Sequence, residues 1–304
     1  MSLAGEVFPG ARRDGAGICC SGRTDLKKFK TYPIYINHPG SWEEVRLRQR
    51  EEFVKKGDYD MMMWLDDTAK ELYATMEDPN PTSVTRRYEE QVYNAMELIN
   101  SNQLGSLLLD SLDEGTKYWI VPLDYIEKHN CNGCAAYTFP GTPKQRGGER
   151  IYFNPSDFHQ AVQMRYSSDD VLFHELVHAY RDGEIGYSKT NSKHLNKAML
   201  PDYDTMEEFL ALQMQNIYLA CRRSASFYHS YLRPQSISKD GAYDVFENDP
   251  RILSVFRYFY DNEPLAEQVT RLALPDDAFN PWRDLDDLEQ AYLKKYRHKK
   301  LIKF

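Results

Sequence analysis

The sequence predicts an α+β fold, and three observations carry that expectation. Apolar residues recur at helical steps between Ser41 and Ile99, three short β-branched and aromatic runs lie between Tyr118 and Phe153, and helical patterning returns from residue 156 onward. The expected arrangement is a helical N-terminal layer, a small mixed sheet and a mainly helical C-terminal half.

Residues 1–35 carry Gly, Arg and Ser with little periodicity and are expected to form a flexible N-terminal arm. Ser41 with Glu44 makes a capping box ahead of a charged helical stretch ending near Gly57. Met62, Leu65, Leu72 and Tyr73 belong to a second helix, and Tyr88, Val92, Tyr93, Met96 and Ile99 to a third. Residues 36–104 thus form the helical layer and residues 105–304 the second unit, although 36–304 can also pack as one body. The run Tyr118–Val121 ends at Pro122 and reads as a buried strand. Two more strands are expected at Ala135–Phe139 and Arg150–Phe153, separated by a loop rich in Gly and Pro. Helices are expected near 168–182, 204–222, 250–262 and 284–297.

Composition narrows the function. The 304 residues are 41% apolar, enough for a sizeable core, and the net charge of −8 argues against a nucleic-acid-binding surface. The basic tail Lys294, Lys295, Arg297, Lys299 and Lys300 reads as a solvated helix end, where cations suit the negative end of the dipole. No apolar run approaches the roughly 18 residues of a membrane span, and the N-terminus lacks the apolar core of a signal peptide. A cytoplasmic enzyme and one secreted by a signal-peptide-independent route fit equally. Five cysteines are an odd count and read as reduced thiols. Cys131 and Cys134 form a lone CxxC, read as two loop thiols before a structural zinc or redox pair.

The informative segment is His174-Glu175-Leu176-Val177-His178. Residues four apart lie on one helix face, so both imidazoles can reach one ion at about 2.0–2.1 Å. Glu175 then sits beside the metal, where a carboxylate can take a proton from the attacking water. The segment reads as helical: Ser167 and Asp170 resemble a capping box, Val171, Leu172, Leu176 and Ala179 supply apolar positions, and Gly183 is a natural stop. The bland alternative is two satisfied histidines and a surface acid on an amphipathic helix.

Two histidines leave a zinc site incomplete. Arg181 and Glu184 do not continue the motif into HExxHxxGxxH, so a carboxylate from a later helix is the expected third ligand. Glu207 and Glu208, at the start of the helical stretch Thr205–Ala211, offer one. Acids also suit a helix N-terminus without any metal. Asp182 reads as a support for an imidazole or a helix-end acid, and His194 as an exposed loop histidine.

HExxH followed some thirty residues later by an EEFxA-type helix resembles the gluzincin metallopeptidases, including anthrax lethal factor and the secreted effector zinc proteases of bacterial pathogens. The resemblance covers about residues 90–270, and only the two helical motifs are specific. A Gly105-x-x-Leu108-Leu109 segment also resembles what precedes the sheet in some bacterial members. The resemblance implies a zincin-like fold, a Zn2+ cofactor and hydrolysis of a peptide bond in a protein or peptide substrate by a bacterial effector or toxin. It carries the third ligand over to Glu208, the acid directly before Phe-x-Ala. Glu207 is the fallback, since adjacent acids point about 100° apart on a helix. Related enzymes place an oxyanion-stabilising tyrosine near this helix, which maps to Tyr203, although the lethal-factor spacing differs. By the same analogy Arg150–Phe153 is expected to offer a free strand edge to an extended substrate. A binding or structural module on the same fold, and a zinc hydrolase of a non-peptide amide, are the alternatives. Substrate sequence and oligomeric state are not legible.

Overall fold

The computed structural model of the protein describes residues 27–36, 41–74, 81–122, 136–139, 149–155, 167–185, 205–224, 227–228 and 236–296. The fold is α+β, with ten helices among the described residues around a small mixed sheet.

Strands β1 (Lys27–Lys28) and β2 (Ile34–Ile36) come first, followed by four helices: α1 (Ser41–Lys56), α2 (Tyr59–Ala74), α3 (Pro81–Ser101) and α4 (Gln103–Asp110). α1 stops because Gly57 adopts φ +72°, which lets the amide of Asp58 reach back to the carbonyl of Phe53 at 2.9 Å. Asp58 then caps α2 by accepting from the Met61 amide. Asn102 caps α4 through its side-chain oxygen, which accepts from the amides of Leu104 and Gly105. Its amide nitrogen donates to the Tyr218 carbonyl at 3.0 Å, tying this turn to the central helix described below.

Strands β3 (Tyr118–Pro122), β4 (Ala136–Phe139) and β5 (Glu149–Phe153) complete the sheet in the order β1-β2-β3-β5-β4. β2, β3 and β5 are parallel, and β1 and β4 run antiparallel at the two sides. Ile34, Ile36, Tyr118, Ile120, Ile151 and Phe153 are fully buried. They share one continuous core with Val92, Met96 and Ile99 of α3 and with two further helices, α5 (Ser168–Ile185) and α6 (Met206–Cys221). α6 is buried at every position from Phe209 to Ala220, as expected for a central helix that is apolar nearly all round. The C-terminal layer holds β6 (Phe227–Tyr228), β7 (Ser236–Ile237), α7 (Lys239–Asn248), α8 (Pro250–Asn262), α9 (Ala266–Thr270) and α10 (Leu285–Lys295). An aromatic cluster of Phe209, Phe246, Phe256 and Trp282 seats this layer on α6.

Three expectations are corrected. Residues 27–36, nearly all assigned to the arm, form β1, β2 and the buried turn residue Phe29 between them. Gly183 does not stop its helix, which continues to Ile185. β5 has no free edge, because β3 and β4 flank it on both sides; among the described residues the outer strand there is β4.

Candidate metal site

The site is built on the pair α5 and α6, which run antiparallel and are joined by polar contacts at both ends. At the start of α5 Asp170 stands three residues after Ser167, the spacing of a capping box, and its carboxylate accepts from the Tyr228 hydroxyl at 3.1 Å. Burial, reinforced by neighbouring Asp169, pushes Asp170 up to about 7 against the opposing pull of Ser167 and the Tyr228 hydroxyl. Asp169 is buried too. It accepts from the Tyr218 hydroxyl at 2.6 Å and pairs with Arg222, both from the far end of α6. Phe173 stacks on Tyr218 with ring centroids 4.4 Å apart, and the Gln215 amide donates to the Asp170 carbonyl. This end of the pair is therefore fixed in both rotation and register.

Further along the two helices three side chains converge. The Nε2 atoms of His174 and His178 are 3.0 Å apart, and Glu208 places Oε2 at 3.3 Å from His174 and Oε1 at 3.4 Å from His178. Four ligands set tetrahedrally at zinc's usual 2.0–2.1 Å are about 3.3–3.4 Å from one another. The two carboxylate distances fall in that range, each to a different oxygen of Glu208, and the 3.0 Å between the imidazoles is shorter than it. Among the described residues these three form the group of His, Cys, Asp and Glu side chains able to hold a metal ion. Two imidazoles and one carboxylate leave a fourth position open, as in catalytic zinc sites.

The electrostatics suit a cation. Burial disfavours charge on His178, but Glu208, Glu175 and Glu207 outweigh it and raise His178 to about 9. Glu208 is held well below the usual carboxylate range: burial opposes this, and the two imidazoles overcome it. Glu175, next to His174, is 7% exposed and near enough for its charge to act on His178.

The fallback ligand Glu207 is engaged elsewhere. It takes Nε and one terminal nitrogen of Arg181, the latter at 3.0 Å, while the other terminal nitrogen contacts Glu263. Arg181 also lies over the Phe259 ring, 5.0 Å from its centroid. Burial disfavours the guanidinium charge, yet the two carboxylates raise its pKa. Glu263 shifts upward, because burial outweighs the pull of Arg181. Sequence reasoning missed Arg181 and Glu263. The available signal was an arginine, three residues after His178, where an apolar core-facing residue or a glycine would be unremarkable.

Other anticipated residues do not join the cluster. Asp182 is half-buried on α5 and is not one of the three converging groups. Tyr203, His194, Cys131 and Cys134 lie outside the described residues, as do Arg297, Lys299 and Lys300 of the basic tail. No helix is long and apolar enough to cross a membrane, among the described residues.

Residues 78–210 match the model of the Peptidase_M91 family, described as "Effector protein". The matched stretch runs from the start of α3 to the first turn of α6 and includes His174, Glu175, His178 and Glu208. It is less than half of the chain, and α1, α2 and the C-terminal layer lie beyond it. No curated protein and no solved structure matches the chain.

Proposed function

We propose that the protein is a zinc-dependent peptidase, a bacterial effector that hydrolyses a peptide bond in a protein substrate. The observation that carries this reading is the spacing of His174, His178 and Glu208, which suits a tetrahedral zinc ion with one open position. The family match over the same helices supports a peptidase in particular.

When bound, the ion supplies Lewis-acid polarisation of a carbonyl and lowers the pKa of water to about 7. Glu175 acts as general base. It takes a proton from the attacking water and delivers it to the departing amine nitrogen, so that it leaves the cycle ionised as it entered. His174 and His178 serve as neutral donors, and Glu208 offsets part of the metal charge. Tyr203 stands as the donor to the developing oxyanion, a role carried by the resemblance and its place just before α6. Among the described residues β4 is the outer strand beside β5, and its edge is the place for an extended substrate to pair through its main chain.

The test is cleavage of an unbiased peptide library by the purified protein. The reading expects defined cleavage products that disappear with chelator and return with Zn2+. Strong thermal destabilisation by chelator, with no cleavage of any peptide, would instead favour a structural metal.

A further inference from the structure

Two buried charges, Arg181 and Glu263, and the half-buried Glu207 lie beside the three converging side chains and are not among them. Arg181 is three residues past His178 on α5, and Glu207 is one residue before Glu208 on α6. The guanidinium is 6% exposed, and the Glu263 carboxylate beyond it 2%. Nε and one terminal nitrogen engage both oxygens of Glu207, and the other terminal nitrogen engages Glu263. A planar fork held on two sides by carboxylates and on its face by Phe259 cannot rotate without breaking a charged contact. Glu263 is itself fixed: it ends α8, its amide donates to the Phe259 carbonyl at 2.7 Å, and its carboxylate accepts from the Leu265 amide.

We infer that Arg181, Glu207 and Glu263 form a positioning clamp that sets the rotation of α6 and thereby aims Glu208 at the metal. Consecutive residues on a helix are about 100° apart, so any turn of α6 that swings Glu208 away from the imidazoles drags Glu207 off Arg181. Arg181 shares α5 with both histidines, so the clamp references the third ligand directly to the first two. Asp169, Tyr218 and Arg222 fix the opposite end of the helix pair, leaving the clamp to control the end that holds the ion. Glu263 lies outside the stretch matching the family model. Through it the C-terminal helical layer supports the metal geometry as well as the core.

The inference rests on the metal reading above, and one experiment separates the two. The full-length protein is stripped of metal, and Zn2+ affinity is measured by competition with a chromophoric chelator. The visible spectrum of the Co2+-loaded protein reports ligand geometry independently of activity. Glu263→Gln keeps the shape of the side chain and removes its charge, and Arg181→Lys keeps the charge and removes the fork. Arg257→Lys, which disturbs a pair with Glu289 and Asp286 elsewhere on α8, is the control. The expected result is a loss of roughly 10–100-fold in Zn2+ affinity and an altered Co2+ band in both clamp variants, with the control at wild-type values. A purely structural role would lower the melting temperature of the metal-free protein and leave affinity and spectrum unchanged, which would overturn the inference. Should Arg181→Lys fail to fold, Glu263→Gln decides alone. Wild-type protein that binds neither Zn2+ nor Co2+ would overturn the metal reading and the clamp together.

Discussion

Glu207 and Glu208 are neighbours on one helical turn and serve different partners: Glu207 holds Nε and one terminal nitrogen of Arg181, and Glu208 lies 3.3 and 3.4 Å from the two imidazoles. The division follows from helix geometry, because side chains one residue apart diverge by about 100°. It also separates two energetic situations. Arg181 is a buried cation that needs its acids, since stripping one partner from a buried pair costs about 3–5 kcal/mol. Glu208 is a partly exposed carboxylate whose anionic form is held by histidine, a group that also binds metal.

Under the proposed mechanism Glu175→Gln should leave His174, His178 and Glu208 intact and remove the base. Zinc content should stay at the wild-type level while kcat falls by about 10²–10⁴-fold or more. Metal analysis and turnover on the same preparation check both halves, and loss of zinc with activity would assign Glu175 to the ligands instead.

Asp170 sets a pH dependence of stability away from the candidate metal site. Its folded pKa is raised to about 7 from 3.8, first by burial and then by Asp169. Below pH 3.8 both states are protonated and the group has no effect. Between about 4 and 7 the folded state holds a proton that the unfolded state has lost, so stability falls as pH rises, and the loss is complete above 7. Chemical denaturation of the metal-free protein at pH 5 and pH 8 should show Asp170→Asn flattening this decline by roughly 2–4 kcal/mol. An unchanged slope would mean that Asp170 stays ionised in the fold.

Gly105 brings α4 against the backbone of α3 at Ile99. A Cβ there would lie 2.0 Å from the backbone oxygen of Ile99, a contact no rotamer change relieves. Gly105→Ala should therefore force the two helices apart and cost about 1–3 kcal/mol or more, read as a lower denaturation midpoint. A neutral outcome would show that the α3–α4 junction is looser than its geometry.

The legible parts of this protein are those whose cause is local. His174, Glu175 and His178 stand out because their spacing and the helix that makes it meaningful lie within one short segment. The choice between Glu207 and Glu208 depends on Arg181, whose own placement depends on Glu263, 82 residues further along. No local pattern encodes that chain of dependence. β1 and β2 escaped notice for a related reason. Strands of two and three residues have no periodicity to read, and they exist because β2 pairs with β3 more than eighty residues away. The third parallel strand was visible at Arg150–Phe153, but its position inside the sheet follows from β4 pairing on its outer side. Gly183 misled because a glycine ends a helix only when it leaves helical dihedrals, and this one stays within α5.

If His174, His178 and Glu208 grip one zinc ion as proposed, the metal-to-protein ratio by elemental analysis shows it most directly. After exposure to excess Zn2+ and gel filtration, wild-type protein should carry one equivalent and a folded His178→Ala variant well under half of that. Wild-type protein free of zinc, or a variant that retains a full equivalent, would contradict the account.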